Sequence, residues 1–354
     1  MPCYALLPHS NLLKTNFKNP QNEFIELTMK LYPLKFKPML MQKVWGGERL
    51  RQYYRHDTPL MSNVGETWDV VAMDDERDSE VINGFLEQNT LSELIEVYMG
   101  DLVGEAVYEK YGNYFPLMVK LIDATDRLSV QVHPNDELAH EKGEPAGKTE
   151  MWYVMKAESG AQLMMGFKRQ VSADELHDMC HDGSVEDVLQ SYDVKAGDVF
   201  FIPAGMVHAI GKGCLMLEIQ QASDITYRMY DYMRKDINGQ YRQLHIHESL
   251  ESIDYGSWQG RKVGYEARAN EPVTLVECDK FTVNLIELDK PKEYDIAAVD
   301  SFILLTCAEG HVTLQFDGDY LTIADGETVM IPAEMNSLVL VPTVKSRLIE
   351  TYIQ

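Results

Sequence analysis

Cysteine is scarce in this sequence, and its five copies lie far apart. No two of them have the CxxC spacing of a thiolate zinc site, and an odd number does not complete a disulfide framework. We therefore expect reduced, buried thiols and a cytoplasmic protein. The five residues are Cys3, Cys180, Cys214, Cys278 and Cys307.

Positive charge is also in short supply. Lys and Arg total 32 against 56 Asp and Glu, which gives a formal net charge of −24. Nucleic acids and anionic membranes both require a positive face, so this balance excludes them as partners. No apolar run approaches the roughly 20 residues of a membrane-spanning helix. The first 28 residues lack the hydrophobic segment of a signal peptide, so nothing indicates secretion.

The chain, at 354 residues, is long enough for two domains with separate cores. Residues 1–28 are polar and show no periodicity. We expect them to be an extra N-terminal tail, either disordered or the product of an upstream start, with a natural start at Met29. We expect a first domain over residues 29–265 and a second over residues 273–354.

Short strand-like segments separated by Gly, Asp and Pro turns fill most of the chain and predict a mainly β fold, a sandwich or barrel. Helical spacing interrupts this pattern near residues 90–111, where Thr90 and Glu93 form a capping-box signal. It does so again near residues 172–191. The capping signals there are Ser172 with Glu175 and Ser184 with Asp187.

Two alternating runs, LSVQVHP and GKTEMWYV, each place polar side chains on one face of a strand. The first run presents Ser129, Gln131 and His133. The second presents Lys148 and Glu150. Because neighbouring strands form a rigid support, they hold metal ligands well. We therefore expect these polar faces to line one cavity.

A third strand-like segment, GDVFFIPAGMVHAIG, supplies His208. Two imidazoles and a carboxylate form a three-ligand site with open positions, which suits zinc, and Gln131 would add a weak neutral oxygen. A single histidine is often only structural, but three segments that together carry this set favour a metal. His245 and His247 precede a helix-like run without a strand partner, so we expect them to be structural.

An internal repeat appears when Gly197 is aligned with Gly326, which puts AGDVFFIPAGMVH over DGETVMIPAEMNS. The shared Gly, Ile-Pro-Ala and Met positions indicate two copies of one β-roll unit. In the second copy Ser337 replaces His208. We therefore expect the C-terminal copy to be degenerate and to bind no metal.

The first copy reads Gly197-x5-Pro203-x-Gly205-x2-His208, which matches the second motif of the cupin superfamily. The first cupin motif normally carries HxH followed by Glu, and here a Gln-Val-His run and a later Glu take that place. A closer resemblance, to the type I mannose-6-phosphate isomerases in their short bacterial form, runs from about Tyr32 to the C-terminus. It is carried by WGG, GETWDV, PLMVKLIDA, LSVQVHP, GKTEMWYV and EIQQASDITYRMYDYMR.

This resemblance implies two cupin-type β-rolls, the first of them catalytic. It also implies a zinc-dependent interconversion of mannose 6-phosphate and fructose 6-phosphate through an enediol(ate), with one zinc per chain. The implied metal ligands are Gln131, His133, Glu150 and His208, and the family counterpart of Arg228 is treated as catalytic.

Such an isomerisation moves a proton between C1 and C2, so the protein must supply a base, a group for the oxyanion and an anchor for the phosphate. We expect Arg228 and Lys148 to be the catalytic cations. The base stays open among Asp224, Glu218 and a metal-bound water. The residues expected to bind substrate are Ser129, Lys120 and Asp224. In the alternative interpretation, Lys120 is a surface charge and Ser129 bonds only within the sheet.

Two other functions fit the same residues. A set of two histidines and a carboxylate also suits non-haem iron oxygenases, and a cupin can bind a sugar without catalysis. Lys148 and Arg228 favour an anionic sugar over an open O₂ site, and the complete ligand set argues against a pure binding module. We expect a small sugar phosphate as partner, and a monomer or weak homodimer.

Overall fold

A computed structural model describes residues 30–52, 61–236, 238–257, 259–260 and 262–354. The predicted tail over residues 1–28 lies outside the described residues. Among those described, none of the helices has the length and apolar character that a membrane crossing requires.

Strands dominate the first part of the chain. In order they are β1 (Leu34–Lys35), β2 (Met39–Gly47), β3 (Val64–Val70), β4 (Ala72–Asp74), β5 (Arg77–Asp78), β6 (Leu117–Ala124), β7 (Val130–Val132), β8 (Glu150–Ala157), β9 (Gln162–Phe167), β10 (Leu189–Asp193), β11 (Val199–Ile202), β12 (His208–Ile210), β13 (Cys214–Gln221), β14 (Tyr227–Tyr230) and β15 (Lys262–Val263).

The second part of the described chain contains strands only. They are β16 (Pro272–Glu277), β17 (Thr282–Leu288), β18 (Lys292–Asp295), β19 (Ile303–Glu309), β20 (His311–Phe316), β21 (Asp319–Ala324), β22 (Thr328–Ile331), β23 (Ser337–Pro342) and β24 (Ser346–Tyr352). The helices all lie before them: α1 (Leu91–Val103), α2 (Glu105–Tyr111), α3 (Asp136–Glu141), α4 (Ala173–Asp182), α5 (Val185–Val188) and α6 (Ile246–Ser252), with short 3-10 turns at Arg49–Gln52 and Gly84–Leu86.

The first roll is built from two antiparallel sheets. One has seven strands in the order β15-β11-β8-β13-β6-β3-β2, and the other has five in the order β10-β9-β12-β7-β14. Between them lies an apolar core that includes Trp152, Phe200 and Met216. Side chains alternate along β8, so Trp152 faces this core while Met151 and Tyr153 face the other side of the sheet.

The second roll repeats this arrangement with sheets of six and four strands, ordered β1-β22-β19-β24-β17-β16 and β18-β23-β20-β21. Its interior is apolar, with Leu305, Leu314 and Leu340 among the buried side chains. The predicted fold class, mainly β with two cupin-type rolls and helical insertions, is confirmed.

A further buried apolar cluster lies between the two rolls. The outer face of the seven-stranded sheet, with Leu117 and Met151, belongs to the same buried cluster as Val283 and Ile349 of the six-stranded sheet. Each fully buried side chain of this kind contributes about 1.5–3 kcal/mol, so the rolls form one packed body. The chain also crosses between them, because β1 pairs with β22 of the second roll. The division at residues 265 and 273 stays a prediction.

The internal repeat has a structural counterpart. Gly197 and Gly326 both adopt positive φ, 88° and 81°, just before β11 and β22. A Pro-containing turn then leads into β12 in one copy and β23 in the other. In each turn the Met amide donates to the Pro carbonyl, Met206 to Pro203 at 3.1 Å and Met335 to Pro332 at 3.2 Å.

The helical insertions follow their capping signals with one exception. The Thr90–Glu93 capping box is formed at the start of α1. Ser172 caps α4 by accepting a hydrogen bond from the amide of Glu175 at 3.2 Å. Ser184 stands directly before α5, as predicted, but its backbone already has helical dihedral angles and its side chain makes no capping hydrogen bond.

Candidate metal centre and active site

Three site residues lie in one row across the five-stranded sheet. Gln131 is the middle residue of β7, between β12 and β14. Gln131 is paired with His208 on one side and with Arg228 on the other. The register therefore sets an imidazole, a carboxamide and a guanidinium side by side. His133 follows directly after β7, and the amide of Gly205 donates to its carbonyl at 2.8 Å.

The carboxylate comes from the opposite sheet. Glu150 is the first residue of β8, where it pairs with Ile202 of β11 and Gln220 of β13. Lys148 lies two residues earlier on the same face. The site is thus formed between the two sheets of the first roll, with ligands of different strands held by ladder hydrogen bonds.

Three buried side chains form the centre of the site. His133 Nε2 lies 3.5 Å from Glu150 Oε2, and His208 Nε2 lies 3.3 Å from Glu150 Oε1. One ligand atom from each residue lies within 4.8 Å of the others, and all three side chains are at most 1% exposed. This spacing fits a metal ion bound by two nitrogens and an oxygen.

Both histidines are poised as neutral ligands. The Nδ1 of His208 donates to the carbonyl of Met206 at 2.8 Å, which leaves the Nε2 lone pair directed at the cluster. Burial lowers the pKa of His208 to about 4. Burial, with the nearby charge of Lys148, also holds the pKa of His133 well below its ordinary value. Neutral imidazole is the form that binds a metal.

The Glu150 carboxylate is a buried negative charge, which needs a positive charge close to it. Neither of its oxygens accepts a hydrogen bond of good geometry, although the Lys148 Nζ lies 2.9 Å from Oε2. Burial alone would lower the pKa of Lys148, but the charges of Glu150 and Glu218 outweigh it and raise that pKa. Lys148 is therefore an ammonium, and it also lies 3.1 Å from His133 Nε2.

Gln131 lies at the edge of the same cluster. Its Nε2 is 3.2 Å from His208 Nε2, while its Oε1 accepts a hydrogen bond from Ser129 Oγ at 3.2 Å. A half-turn of the amide exchanges these two atoms with little change in shape. Either orientation keeps the carboxamide against the two histidines and the carboxylate, so its oxygen can reach the ligand set.

Arg228 carries a charge that no described carboxylate pairs. Its Nε donates to Ser129 Oγ at 3.2 Å, and its Nη1 donates to the Gln243 carbonyl at 3.0 Å. By contrast, Arg234 and Arg242 both bind the buried carboxylate of Asp231. Burial, and then the charge of Arg242, lower the pKa of Arg228. An anion beside Arg228 would relieve this unbalanced charge.

Lys120 is buried rather than exposed, so the surface-charge interpretation is wrong. It lies in the middle of β6, opposite Glu218 of β13, with its Nζ 3.6 Å from Glu218 Oε1. Trp152 Nε1 donates to the other oxygen of Glu218 at 2.9 Å. Burial, reinforced by the charge of Glu150, raises the pKa of Glu218 above its ordinary value.

Asp224 is the one predicted site residue that the structure leaves outside this cluster. It is exposed, and its Oδ2 lies 3.8 Å from Arg77 Nη1. His245, expected from the sequence to be structural and without a strand partner, lies behind Arg228 of β14, and its amide donates to the Arg228 carbonyl at 2.8 Å. Its Nδ1 accepts a hydrogen bond from the Arg228 amide at 3.3 Å. Only the pairing of the segment before α6 with β14 brings the two residues together, so no local pattern predicts this contact.

Comparisons with known proteins identify the family of the chain. Residues 33–175 match the family described as phosphomannose isomerase type I, catalytic domain, and residues 271–352 match the mannose-6-phosphate isomerase cupin domain. The chain is 38% identical over 309 residues to mannose-6-phosphate isomerase ManA of Bacillus subtilis, which covers 86% of this chain and 94% of the relative. It is 34% identical over 306 residues to mannose-6-phosphate isomerase of Streptococcus mutans, and this match also covers 86% of this chain and 94% of the relative.

Solved structures show the same architecture. The crystal structure of mannose 6-phosphate isomerase from Bacillus subtilis superposes with a TM-score of 0.81 at 31% identity, covering 91% of this chain and all of that one. A putative mannosephosphate isomerase from Archaeoglobus fulgidus, at 22% identity and a TM-score of 0.74, shares the fold. On this evidence the chain belongs to the type I phosphomannose isomerases, a family of aldose–ketose isomerases.

Proposed function

We propose that this chain is a zinc-dependent enzyme that interconverts mannose 6-phosphate and fructose 6-phosphate through an enediol(ate), with one zinc per chain. The observation that carries the proposal is the buried set of His133, Glu150 and His208, whose ligand atoms lie within 4.8 Å of one another. Membership of the isomerase family favours this function over an iron oxygenase or a non-enzymatic sugar-binding cupin.

The metal would be held by the two histidines and Glu150, with Gln131 as a weak fourth ligand. Zinc bound there supplies a Lewis acid that polarises the sugar carbonyl. The mixture of imidazole and carboxylate ligands suits zinc, while the small number of ligands leaves room for substrate oxygens.

We assign the proton transfer between C1 and C2 to Glu218. Its pKa is raised by burial, which makes the carboxylate a stronger base than an exposed glutamate. Trp152 and Lys120 contact one oxygen each and so fix the carboxylate plane. Lys148 stays charged inside the cavity, where it would stabilise negative charge that develops on the sugar oxygen.

Arg228 is our candidate for the phosphate anchor. It is the cation in the row next to Gln131, it makes no ion pair with any described carboxylate, and Ser129 orients its Nε. In a chain of net charge −24, such local positive charge is needed to hold a phosphate dianion. The Asp231-bound arginines next to it add to the positive potential. Asp224 at the exposed rim would accept a hydrogen bond from a sugar hydroxyl.

Isomerisation in D₂O tests the enediol(ate) route. A proton carried by Glu218 can exchange with solvent while the intermediate lasts, so deuterium should enter the sugar at the carbons between which the proton moves. We expect label to accumulate in mannose 6-phosphate and fructose 6-phosphate as the mixture approaches equilibrium. Complete equilibration without any label would point to direct hydride transfer and would contradict this mechanism.

We further propose a cytoplasmic location and a monomer or weak homodimer. The four cysteines among the described residues are all free thiols, which fits a reducing compartment. The partner in this proposal is a small sugar phosphate, with neither nucleic acid nor membrane involved.

A further inference from the structure

Asp136 makes contacts that reach beyond its own helix. It is the first residue of α3, three residues after His133. Its Oδ1 accepts hydrogen bonds from the Gly147 amide and from Gln221 Nε2, both at 2.8 Å. Its Oδ2 lies 2.7 Å from the Nζ of Lys280. One carboxylate thus joins three parts of the chain that are distant in sequence.

Two of these contacts hold the segment that runs into β8, the strand that begins with Glu150. Gln221, which binds Asp136 through Nε2, accepts a hydrogen bond from the Thr149 amide through Oε1 at 2.9 Å. The Gln221 amide donates to the Thr149 carbonyl at 3.1 Å. Gly147 and Thr149 flank Lys148, and Glu150 follows immediately. The backbone that carries both side chains is therefore held by Asp136 from one side and by Gln221 from the other.

The third contact comes from the other roll. Lys280 lies in the turn between β16 and β17 of the C-terminal roll, and its Nζ also lies 2.8 Å from its neighbour Asp279. The ion pair stands beside a cleft of about 300 Å³ whose walls include Thr149 and Gln221. Partial burial opposes the charged form of Asp136, but the hydrogen bonds from Lys280 and Gln221 still hold its pKa below the ordinary value.

We propose that Asp136 and Lys280 are positioning residues for the active site. Through this ion pair the C-terminal roll holds the segment 147–149, and it thereby fixes Glu150 and Lys148 against His133. The inference rests on the proposed function, because it takes Glu150 as a metal ligand and Lys148 as a catalytic cation. The C-terminal roll, which lacks the metal ligands, would then position active-site residues in addition to packing against the first roll.

The expected effects separate a positioning role from a structural one. A partly exposed ion pair contributes little to the free energy of unfolding. Partners that orient metal ligands typically matter about 10- to 100-fold for metal affinity or activity. Lys280 acts through two intermediate contacts, so we expect an effect at or below the low end of that range.

The experiment compares Lys280→Met and Asp136→Asn with the wild type, with Lys280→Arg as the conservative replacement. Lys345→Met is the matched control, because Lys345 belongs to the same roll and lies 3.3 Å from Glu287. Its neighbour Ser346 pairs with Leu288, at the opposite end of β17 from Lys280. Three quantities are measured: the zinc dissociation constant by competition with a chromogenic chelator, kcat and KM for mannose 6-phosphate, and the midpoint of thermal unfolding.

We expect Lys280→Met and Asp136→Asn each to weaken zinc binding and to lower kcat by about 3- to 10-fold, with KM nearly unchanged. Lys280→Arg should restore both values because it keeps the charge, and Lys345→Met should match the wild type. All four variants should unfold at similar temperatures. Combining Lys280→Met with Asp136→Asn should add little, since both changes break one contact.

Wild-type zinc affinity and kcat in both Lys280→Met and Asp136→Asn would overturn the inference. So would a Lys345→Met variant as impaired as Lys280→Met, which would indicate a general weakening of the roll. A wild-type protein that neither binds zinc nor isomerises the sugar phosphate would instead refute the proposed function, and the inference with it. The wild-type measurement therefore distinguishes the two failures.

Discussion

At the scale of single residues, the site combines two kinds of buried charge. Glu150 and Lys148 form an ion pair at 2.9 Å next to His133, while Glu218 is held by Lys120 and Trp152 a short way along the same sheet. A carboxylate near a metal position and a second one with a raised pKa have different chemical roles. This division is the basis of our assignment of Glu218 as the base.

The Glu218 assignment predicts a specific pH profile. A base must be deprotonated, so kcat/KM should fall as the pH drops through the pKa of Glu218, which burial and the charge of Glu150 place above its ordinary value. Glu218→Gln should lower kcat by about 100-fold or more, in line with loss of a general base, while zinc stays bound. Kinetic assays at a series of acid pH values measure kcat and kcat/KM for the wild type and Glu218→Gln, and metal analysis of each sample measures the bound zinc. A variant with near-normal kcat and the same acid limb would rule out Glu218.

Arg228 provides the prediction for substrate charge. Charge-assisted hydrogen bonds contribute roughly 1.5–3 kcal/mol, so Arg228→Met should lower kcat/KM for mannose 6-phosphate by about 10- to 150-fold with zinc retained. Lys148→Met should also sharply lower it. Arg169→Met removes an exposed arginine paired with Glu175 and serves as the control.

The wild type should use free mannose far less well than its 6-phosphate. A preference for free mannose would contradict the phosphosugar assignment. Full activity in both Arg228→Met and Lys148→Met would contradict it as well, whereas the fold and the ligand set would be unaffected by either result.

At the scale of elements, the tight turn between β11 and β12 sets the positions of the metal ligands next to it. Gly205 sits in the turn between β11 and β12 with φ of 84°, and its amide bonds to the carbonyl of His133. A Cβ added there would come within 2.9 Å of the Asp254 backbone nitrogen. The cupin motif therefore requires glycine here for both backbone conformation and space.

We predict that Gly205→Ala lowers the free energy of unfolding by about 1–3 kcal/mol, the usual cost of a non-glycine residue in a strained conformation. Zinc affinity should fall with it, because the turn places both His133 and His208. Gly264→Ala is the matched control, since its added Cβ would meet nothing within 4 Å. Denaturant titration followed by zinc titration measures both quantities, and equal stability of the two variants would contradict the account.

Local patterns predicted most elements but not all of them. The capping box before α1 and the alternation around Gln131 depend only on neighbouring residues, so they could be predicted from the sequence. The helix α3 was missed because Pro134 and Asn135 look like a turn. In the structure, Asn135 caps a six-residue helix by accepting a hydrogen bond from the Leu138 amide at 2.9 Å.

Features that depend on distant partners could not be predicted. Alternation places Lys120 on a strand face, but only the pairing of β6 with β13 shows that it is buried against Glu218. The pairing of β1 with β22 joins residues from opposite ends of the described sequence, such as Leu34 and Met330. The same reason explains why the link between Lys280 and Asp136 has no signal in either local sequence.

At the scale of the whole molecule, one metal per chain is the expectation. The C-terminal roll repeats the turn and strands that carry His208, but Ser337 stands in its place at an exposed position. His311, the single histidine of residues 273–354, is also exposed. Elemental analysis should therefore find one bound zinc. Two bound metals, with one lost on His311→Ala, would contradict this prediction.

The most direct test of the central claim is a zinc titration of chelator-stripped enzyme in a coupled assay with mannose 6-phosphate. We predict no activity in the metal-free sample, a linear rise with added zinc, and a plateau at one equivalent per chain. His208→Ala should neither bind zinc tightly nor recover turnover, because the buried ligand set loses one of its three members. Full activity in a sample verified as metal-free would contradict the claim.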